Sequence, residues 1–418
     1  MRTPPSRDPG LVPEVTTLTP APHLYRYCFL TPVFGGGVAI DGARKPYDPI
    51  TPVRVASIRG QLRFWWRACN PRCCRDVAEL RANEELVFGS VTTPSPLVVT
   101  VVRQPARPAS LPVLEGKFGA VKGCEALAYG AFPLRGQDEN LHGVLHTYDG
   151  EWEISLRYPE ALANDVNAAV WAWTHFGGLG GRTRRGFGAI QQKGAPAVAT
   201  IDEGWRDFVR DAGDVPWPHL PARREDGAVW GTKNWVDGRK ALDFLLGKLR
   251  ELRQGAMGRK PGPESGAGNH PGRSYWPEAD AIRKLTGQSC RAHGQPVTIV
   301  DAFPRAAFGM PIIFHFKDLK AGDPKDSTLL PQDHGRLASR LILRPHAGDG
   351  AVRAMAVVLV HPAPAAVVLG DDEVKTRVKT RLTDAEARGL GANGRPSPLV
   401  KGDKVFTDPI QRFLEEIQ

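Results

Sequence analysis

The residues best suited to bind an anion lie in one glycine-rich segment that also carries three arginines. The segment is Phe-Gly-Gly-Leu-Gly-Gly-Arg-Thr-Arg-Arg-Gly-Phe-Gly, from Phe176 to Gly188. Glycine lets a partner approach the bare backbone, and successive exposed N–H groups form an anion-binding concavity. The guanidinium groups of Arg182, Arg184 and Arg185 add planar donors that match phosphate oxygens. The segment predicts a loop that lies against a phosphate backbone; a charged, flexible surface loop is the alternative interpretation.

A second arginine set follows a helical spacing earlier in the chain. Arg59, Arg63 and Arg67 recur every four residues, which places them on one stripe of a helix with Ser57 as candidate N-cap. The apolar face of the same helix consists of Ile58, Leu62, Trp65 and Cys69. Like charges at this spacing repel, so a nearby anion is expected to offset the repulsion. A solvated basic face is the alternative.

Only a few residues suggest catalysis. His175 lies beside the glycine-rich segment and could serve as general acid or base in a metal-independent ribonuclease. A histidine at a helix C-terminus, favoured there by the helix dipole, explains the same position without catalysis. Asp41 and Asp48 lie in a loop where an acid could assist RNA cleavage, although aspartates that form turns fit equally well.

Known cofactor motifs are absent from the sequence. No glycine loop ends in Gly-Lys-Ser/Thr, and there is no His-Glu-x-x-His, Gly-x-Ser-x-Gly or Cys-x-x-Cys. Cys69, Cys73 and Cys74 cluster without the spacing of a zinc knuckle, which favours free thiols over a structural metal. We therefore expect neither cofactor nor metal, and a glycine-loop nucleotide enzyme is disfavoured because its lysine is missing.

Charge and composition indicate an acidic partner. The 418-residue chain has a formal net charge of +10, which suits nucleic acid, an anionic membrane surface or an acidic protein. The most apolar run, Met355 to Leu369, is too short and too interrupted to cross a bilayer. The N-terminus lacks a secretory signal and the six cysteines lack a framework spacing, so we expect a cytoplasmic protein.

The elements that position the two arginine sets alternate along the first half of the chain. The predicted elements are a strand over 24–31, helices over 58–69 and 76–85, strands over 97–102 and 151–158, a helix over 159–175 and a strand over 187–191. Apart from the short second helix, this is the β-α-β-β-α-β order of a ferredoxin-like fold, whose sheet is a common RNA platform. The paired aromatics of RNA-recognition domains are absent, so base stacking on that sheet is not supported.

The second half shows weaker patterns. The predicted elements are helices over 239–254, 278–285 and 409–416, and strands over 312–316, 340–343 and 355–360. We therefore predict an α+β protein with two ferredoxin-like (RRM-like) domains and long irregular insertions. The predicted division is an irregular arm over 1–22, a first domain over 23–195, and a second over 196–418 with a flexible loop near 255–272.

Several stretches together resemble one protein family. They are Thr31–Gly37 (TPVFGGG), Ser57–Arg67 (SIRGQLRFWWR), the Phe176–Gly188 loop, Gly272–Pro277 (GRSYWP), Phe303–Gly309 (FPRAAFG) and Ser339–Pro345 (SRLILRP). This pattern resembles the RAMP superfamily of CRISPR proteins, and within it the first-numbered RAMP subunit of the Cmr (type III-B) effector complex. The Arg-Phe-Trp-Trp-Arg helix is its most specific piece, and periodicity places one of Trp65 and Trp66 in the core.

The resemblance implies a non-catalytic subunit that holds guide RNA near its 3′ end and target RNA, beside other RAMP subunits. A neighbouring subunit would cut the target. The rival hypothesis is a metal-independent RAMP endoribonuclease that processes guide precursors, with His175 as base. The candidate RNA-binding residues are Arg54, Arg59, Arg63, Arg67, Gly177, Gly178, Gly180, Gly181, Arg182, Arg184, Arg185 and Arg273.

Overall fold

The structure, a computed structural model, describes most of the chain. The described residues are 20–35, 51–106, 108–115, 119–134, 144–195, 197–254, 276–289, 302–316, 319–332, 335–348, 350–361, 367–370, 375–390 and 397–418. The predicted arm up to residue 19, Asp41, Asp48 and the predicted loop over 255–272 lie outside them.

The helices follow the predicted amphipathic segments. The α-helices are α1 (Val55–Cys69), α2 (Val77–Phe88), α3 (Glu125–Gly130), α4 (Ala163–Phe176), α5 (Ile201–Phe208), α6 (Arg224–Gly227), α7 (Gly238–Gln254), α8 (Glu278–Thr286), α9 (Asp384–Gly389) and α10 (Pro409–Ile417). The six helices predicted from the sequence are confirmed with shifted ends. The sequence patterns do not predict the short helices α3, α5, α6 and α9.

The strands form antiparallel sheets, which confirms the α+β class. The strands are β1 (His23–Phe29), β2 (Val98–Arg103), β3 (Ala109–Pro112), β4 (Leu114–Glu115), β5 (Gly119–Ala120), β6 (Val144–Thr147), β7 (Trp152–Arg157), β8 (Ile190–Lys193), β9 (Ala228–Trp235), β10 (Ile312–Phe314), β11 (Ser327–Pro331), β12 (Leu341–Gly348), β13 (Ala351–Val358), β14 (Val367–Gly370), β15 (Lys375–Val378), β16 (Val400–Lys401) and β17 (Lys404–Val405). Three larger sheets and three two-stranded ladders contain these strands.

The glycine-rich segment lies between helix α4 and a strand of the first sheet. The strand order of this sheet is β2-β7-β1-β8, with every neighbouring pair antiparallel. Tyr27 of β1 lies opposite Trp152 of β7, and both rings belong to a core that also contains Trp66 and Trp173. Since α4 leads directly into the segment and β8 follows it, the sheet and its helix fix where the segment begins and ends.

Helix α1 begins one turn earlier than its sequence suggests. Its N-cap is Arg54, whose carbonyl accepts from the Ile58 amide at 3.1 Å and whose side chain makes no capping bond. The N-cap predicted at Ser57 is therefore wrong, because Ser57 already lies inside the first turn. The predicted apolar face is confirmed, with Ile58, Leu62, Trp65 and Cys69 all buried. Asn70 ends the helix in the left-handed conformation.

The second half of the chain divides its strands between two sheets. One sheet has the order β12-β13-β9, and α7 packs against β12 and β13. The other has the order β10-β11-β14-β15. The five leucines of α7 on its predicted apolar face are fully buried in a core shared with Phe187 of the glycine-rich segment. The segment therefore reaches into the second half of the chain.

Candidate nucleic-acid interface

Several backbone N–H groups of the glycine-rich segment bond to carbonyls of the protein itself. The N–H of Gly177 bonds to the Trp173 carbonyl at 2.9 Å, that of Gly181 to Phe34 at 2.7 Å, and that of Gly188 to Pro32 at 2.8 Å. These groups are not available as the predicted anion-binding concavity. The segment folds back onto residues 32–34, and its buried N–H groups must find acceptors there.

Close packing explains why the candidate glycines lack side chains. A Cβ on Gly177 would approach the Trp65 indole nitrogen to 2.6 Å, and one on Gly178 would approach the Gly188 carbonyl to 2.6 Å. Added carbons on Gly180 and Gly181 would lie 2.8 and 2.7 Å from Val33 and Phe34 side chains. Contact of these glycines with RNA stays a prediction, and among the four only Gly180 is exposed.

Two of the three loop arginines bridge to the second half of the chain. Arg184 donates to the Ser339 carbonyl, and its guanidinium lies over the Phe64 ring at 5.2 Å from the centroid. Arg185 donates to the Phe308 carbonyl at 3.2 Å. Burial lowers the pKa of all three arginines, and that of Arg185 falls to about 10, so each remains charged at neutral pH. The loop arginines are half-buried cations rather than freely solvated side chains.

The arginine stripe of α1 is offset by the protein's own acceptors. Arg63 and Arg67 both donate to Oε1 of Glu84 on α2, at 2.7 and 2.6 Å. Arg59 donates to the carbonyls of Phe88 and Leu97. The anion expected beside the stripe is thus Glu84, whose side chain is only 8% exposed. Because one carboxylate serves two guanidinium groups, the stripe keeps a positive excess.

Of the remaining candidates, one lies among the described residues and one outside them. Arg54 is half-buried at the start of α1, and its Nε has no hydrogen-bond partner. Arg273 lies outside the described residues. Trp65 and Trp66 are both core residues, at 2% and 0% exposure. The Trp66 indole donates to Asp165 at 2.8 Å, and this carboxylate also accepts two bonds from Arg72.

The glycine-rich segment and α1 meet at one cavity. It has a volume of about 210 Å³ and is lined by Gln61, Phe64 and Trp65 from α1 and by Gly177, Thr183 and Arg184 from the segment. Arg59, Arg63 and Arg67 instead turn toward α2 and β2. The structure therefore brings one loop arginine, Arg184, against α1, but not against the charged ends of its arginine stripe.

His175 is held in a fixed, neutral form. Its Nε2 lies 2.8 Å from the Ala199 carbonyl, which can only accept, so Nε2 carries the proton. Its Nδ1 lies 3.0 Å from Nε2 of His346, and the two rings stack with centroids 5.3 Å apart. The lone pair of Nδ1 is thus used by the proton on His346. This arrangement does not favour a general base, which needs a lone pair directed at substrate.

Acidification is expected to destabilise the fold through this histidine pair. Burial, and then neighbouring charges that include Arg344, lower the pKa of both histidines, that of His175 to about 4. A folded pKa below the unfolded value near 6.5 gives a stability that is complete above pH 6.5 and is lost as pH falls toward 4. Between pH 7.5 and 5.5 each histidine should cost about 1 kcal/mol of unfolding free energy.

Urea denaturation at these two pH values checks the prediction. The matched variant is His175→Asn, which keeps a polar side chain of similar length but does not titrate. Its loss of unfolding free energy between pH 7.5 and 5.5 should be smaller than that of the wild type by about 1 kcal/mol. An equal loss in both proteins would contradict the assignment.

Other site types find no support among the described residues. In those parts of the chain, no three His, Cys, Asp or Glu side chains come together as metal ligands. Cys69 and Cys74 are buried free thiols and Cys73 is an exposed one. Across the same described segments, no helix is both long enough and apolar enough to span a bilayer.

Sequence reasoning missed the partners of the predicted residues. Glu84 accepts from the arginine stripe, His346 contacts His175, and Arg344 donates to the end of α4. Each of these partners is distant in sequence from the residue that it contacts. Arg344 lies inside Ser339–Pro345, one of the stretches that carry the family resemblance, so the sequence did point to this residue. Nothing in the local pattern around Glu84 distinguishes it from its neighbours Glu79 and Glu85.

Comparison with known proteins gives one family-model match and several similar solved structures. Residues 28–191 match the family model of the RAMP superfamily. The solved structures that resemble the chain include the apo crystal structure of Cmr1 from Pyrococcus furiosus, with 16% identity, a TM-score of 0.48, and 85% of this chain and 93% of that chain covered. Another is the cryo-EM structure of Type III-B Cmr-beta bound to cognate target RNA, with 11% identity, a TM-score of 0.45, and 81% and 94% covered.

A comparison with curated protein sequences gives no match. The family model covers the last two residues of β1, then α1, α2, β2, β7, α4 and the glycine-rich segment, and the first two residues of β8. It thus spans both arginine sets and most of the sheet that positions them. Residues 28–191 of the chain thus resemble the RAMP superfamily, and the remaining residues lie outside this match.

Proposed function

We propose that this protein is a non-catalytic RNA-binding subunit of a type III-B (Cmr) CRISPR effector complex in the cytoplasm. It would contact guide RNA near the 3′ end and the target RNA, next to other RAMP subunits. The observation that carries the proposal is the RAMP-superfamily match over the segment that holds both arginine sets. The choice of the Cmr complex is supported by the Ser57–Arg67 motif, as the sequence resemblance implies.

The strand order supports the finer interpretation of two ferredoxin-like units. The first sheet alternates with helices as β1-α1-β2-β7-α4-β8, apart from insertions, and orders its strands β2-β7-β1-β8. The sheet β12-β13-β9 repeats the first three positions of that order, with α7 between β9 and β12. We therefore place the division between units near residue 195 and assign β10, β11, β14 and β15 to an insertion.

Charge excess on the stripe of α1 supports direct contact with RNA phosphates. The Arg63 and Arg67 side chains are 41% and 32% exposed, and they share one carboxylate. Each guanidinium therefore retains donors that face solvent. A phosphate beside them would complete their hydrogen bonding without breaking the bonds to Glu84.

Binding of single-stranded RNA by the full chain tests the proposal. Affinity should fall steeply with salt, because phosphate contacts release counterions, and Arg63→Ala should reduce the slope of log K against log salt by about 0.7. Arg67 remains to pair with Glu84, so this variant should stay folded. The matched control is Arg206→Ala, which removes an exposed arginine paired with Asp207 on α5. The proposal fails if the wild type does not bind RNA, or if the two variants have equal slopes.

Assembly is tested separately by affinity purification from the native host. We expect a short RNA of uniform length and several other RAMP proteins in the purified material. Purification of the chain alone, free of RNA, would contradict its place in an effector complex.

A further inference from the structure

Two arginines of the glycine-rich segment, Arg182 and Arg185, lie near a third arginine, Arg253, at the end of α7. Arg253, in the last turn of α7, lies over the Phe308 ring at 5.5 Å from its centroid. Arg185 donates to the carbonyl of the same Phe308. Burial, and then repulsion from Arg253, lowers the pKa of Arg182. Burial, and then repulsion from Arg253 and Arg182, lowers the pKa of Arg185.

The cluster lacks a counter-charge within the described chain. No carboxylate of the described residues forms an ion pair with Arg182, Arg185 or Arg253. Each of the three guanidinium groups also has a buried nitrogen without a hydrogen-bond partner: Nε of Arg182, Nη1 of Arg185 and Nε of Arg253. Partly buried like charges without compensation are costly, so such a cluster suits a bound anion.

Two further features orient the cluster toward a ligand. The Tyr129 hydroxyl accepts from Nη1 of Arg253 at 2.9 Å, which leaves its own proton to donate to an acceptor. Arg182 has a φ of +55°, a left-handed conformation that is costly for a side chain with a Cβ. Backbone held in this way by an arginine, beside glycines that would adopt it freely, indicates that the guanidinium is needed at this place.

We propose that Arg182, Arg185 and Arg253, together with the Tyr129 hydroxyl, form a phosphate-binding site between the glycine-rich segment and the C-terminal end of α7. Phosphate is the anion favoured by several converging guanidinium groups and a hydroxyl donor. Two sources share this chemistry: a phosphate of an RNA backbone, which rests on the proposed function, and a free phosphate compound.

Thermal unfolding with inorganic phosphate tests the site without RNA. Compared with chloride at equal ionic strength, phosphate should raise the melting temperature of the wild type in a concentration-dependent way. The shift should disappear in Arg253→Gln and shrink in Tyr129→Phe. Arg250→Gln, one turn earlier on α7, is the matched control and should keep the full shift.

The variants also separate a ligand site from a structural cluster. Without phosphate, Arg253→Gln should melt at the wild-type temperature or above it, because it relieves repulsion. A lower melting temperature with an unchanged phosphate response would overturn the proposal, and so would a wild type that responds equally to phosphate and chloride.

RNA binding by the same variants distinguishes the source of the phosphate. If the source is RNA, Arg253→Gln should weaken single-stranded RNA binding and reduce the salt slope by about 0.7, while Arg250→Gln should leave both unchanged. Unchanged RNA affinity in Arg253→Gln, with the phosphate shift lost, assigns the site to a free phosphate compound. A phosphate shift in a wild type that binds no RNA would refute the proposed function and support the site.

Discussion

Replacing Arg344 with methionine is expected to lower the free energy of unfolding by about 3 kcal/mol. Arg344 is only 1% exposed and donates to three carbonyls: Thr174 at 2.8 Å, His175 at 2.9 Å and Ile190 at 2.6 Å. The first two belong to the last turn of α4, whose carbonyls have no partners within the helix. Methionine has a similar length but no donor, so all three buried acceptors would be left unsatisfied.

Arg344 joins the two halves of the chain, so its replacement also tests that connection. It lies on β12, whereas its acceptors end α4 and begin β8 in the RAMP-matched segment. A cation at the C-terminus of a helix is also favoured by the helix dipole. The guanidinium therefore caps α4 from outside the first sheet, next to the point where the glycine-rich segment begins.

Urea denaturation of the variant and of Arg353→Met measures the effect. Arg353 lies on the neighbouring strand β13, where its exposed guanidinium covers the Trp230 ring at 4.7 Å from the centroid. Its replacement should change the unfolding free energy by less than about 1 kcal/mol. Equal losses in the two variants would show that the three carbonyls do not depend on Arg344.

Periodicity was sufficient to predict the elements that build the first sheet. The apolar faces of α1 and α4 were visible because residues that recur every three or four positions must share one side of a helix. The start of α1 could not be placed in the same way, since Arg54 is an N-cap without a capping side chain. Six strands of the second half, β9, β11 and β14 to β17, were not predicted, and the division of this half into sheets depends on long-range pairing that periodicity does not show.

The candidate site shows why residue types alone leave the roles of arginines open. The spacing of Arg59, Arg63 and Arg67 predicted an anion, and the structure supplies Glu84 from α2. The glycine and arginine content of the loop predicted an open anion-binding backbone, whereas the N–H groups of Gly177, Gly181 and Gly188 bond to the chain itself. In both cases a partner distant in sequence decided the outcome, and local pattern contains no information about such partners.

Replacing Gly188 with alanine is expected to lower the free energy of unfolding by about 3 kcal/mol, through left-handed backbone strain and overpacking. Gly188 has a φ of +62°, and a Cβ built on it would lie 1.9 Å from the Leu179 carbonyl oxygen. That oxygen belongs to the backbone, so no side-chain rotation can relieve the contact. The two sides of the loop are held together here, because the Leu179 amide donates to the Gly188 carbonyl at 2.9 Å.

Gly60→Ala is the matched control for this substitution, since it adds the same methyl group within the other candidate RNA-binding element. Gly60 lies within α1 with no heavy atom within 4 Å of an added Cβ, so alanine should raise the unfolding free energy by about 0.5 to 1 kcal/mol. Thermal and urea unfolding of both variants should therefore shift in opposite directions. A Gly188→Ala protein as stable as the wild type would mean that the glycines are not required by packing, and that their place in the loop must be explained by contact with a ligand instead.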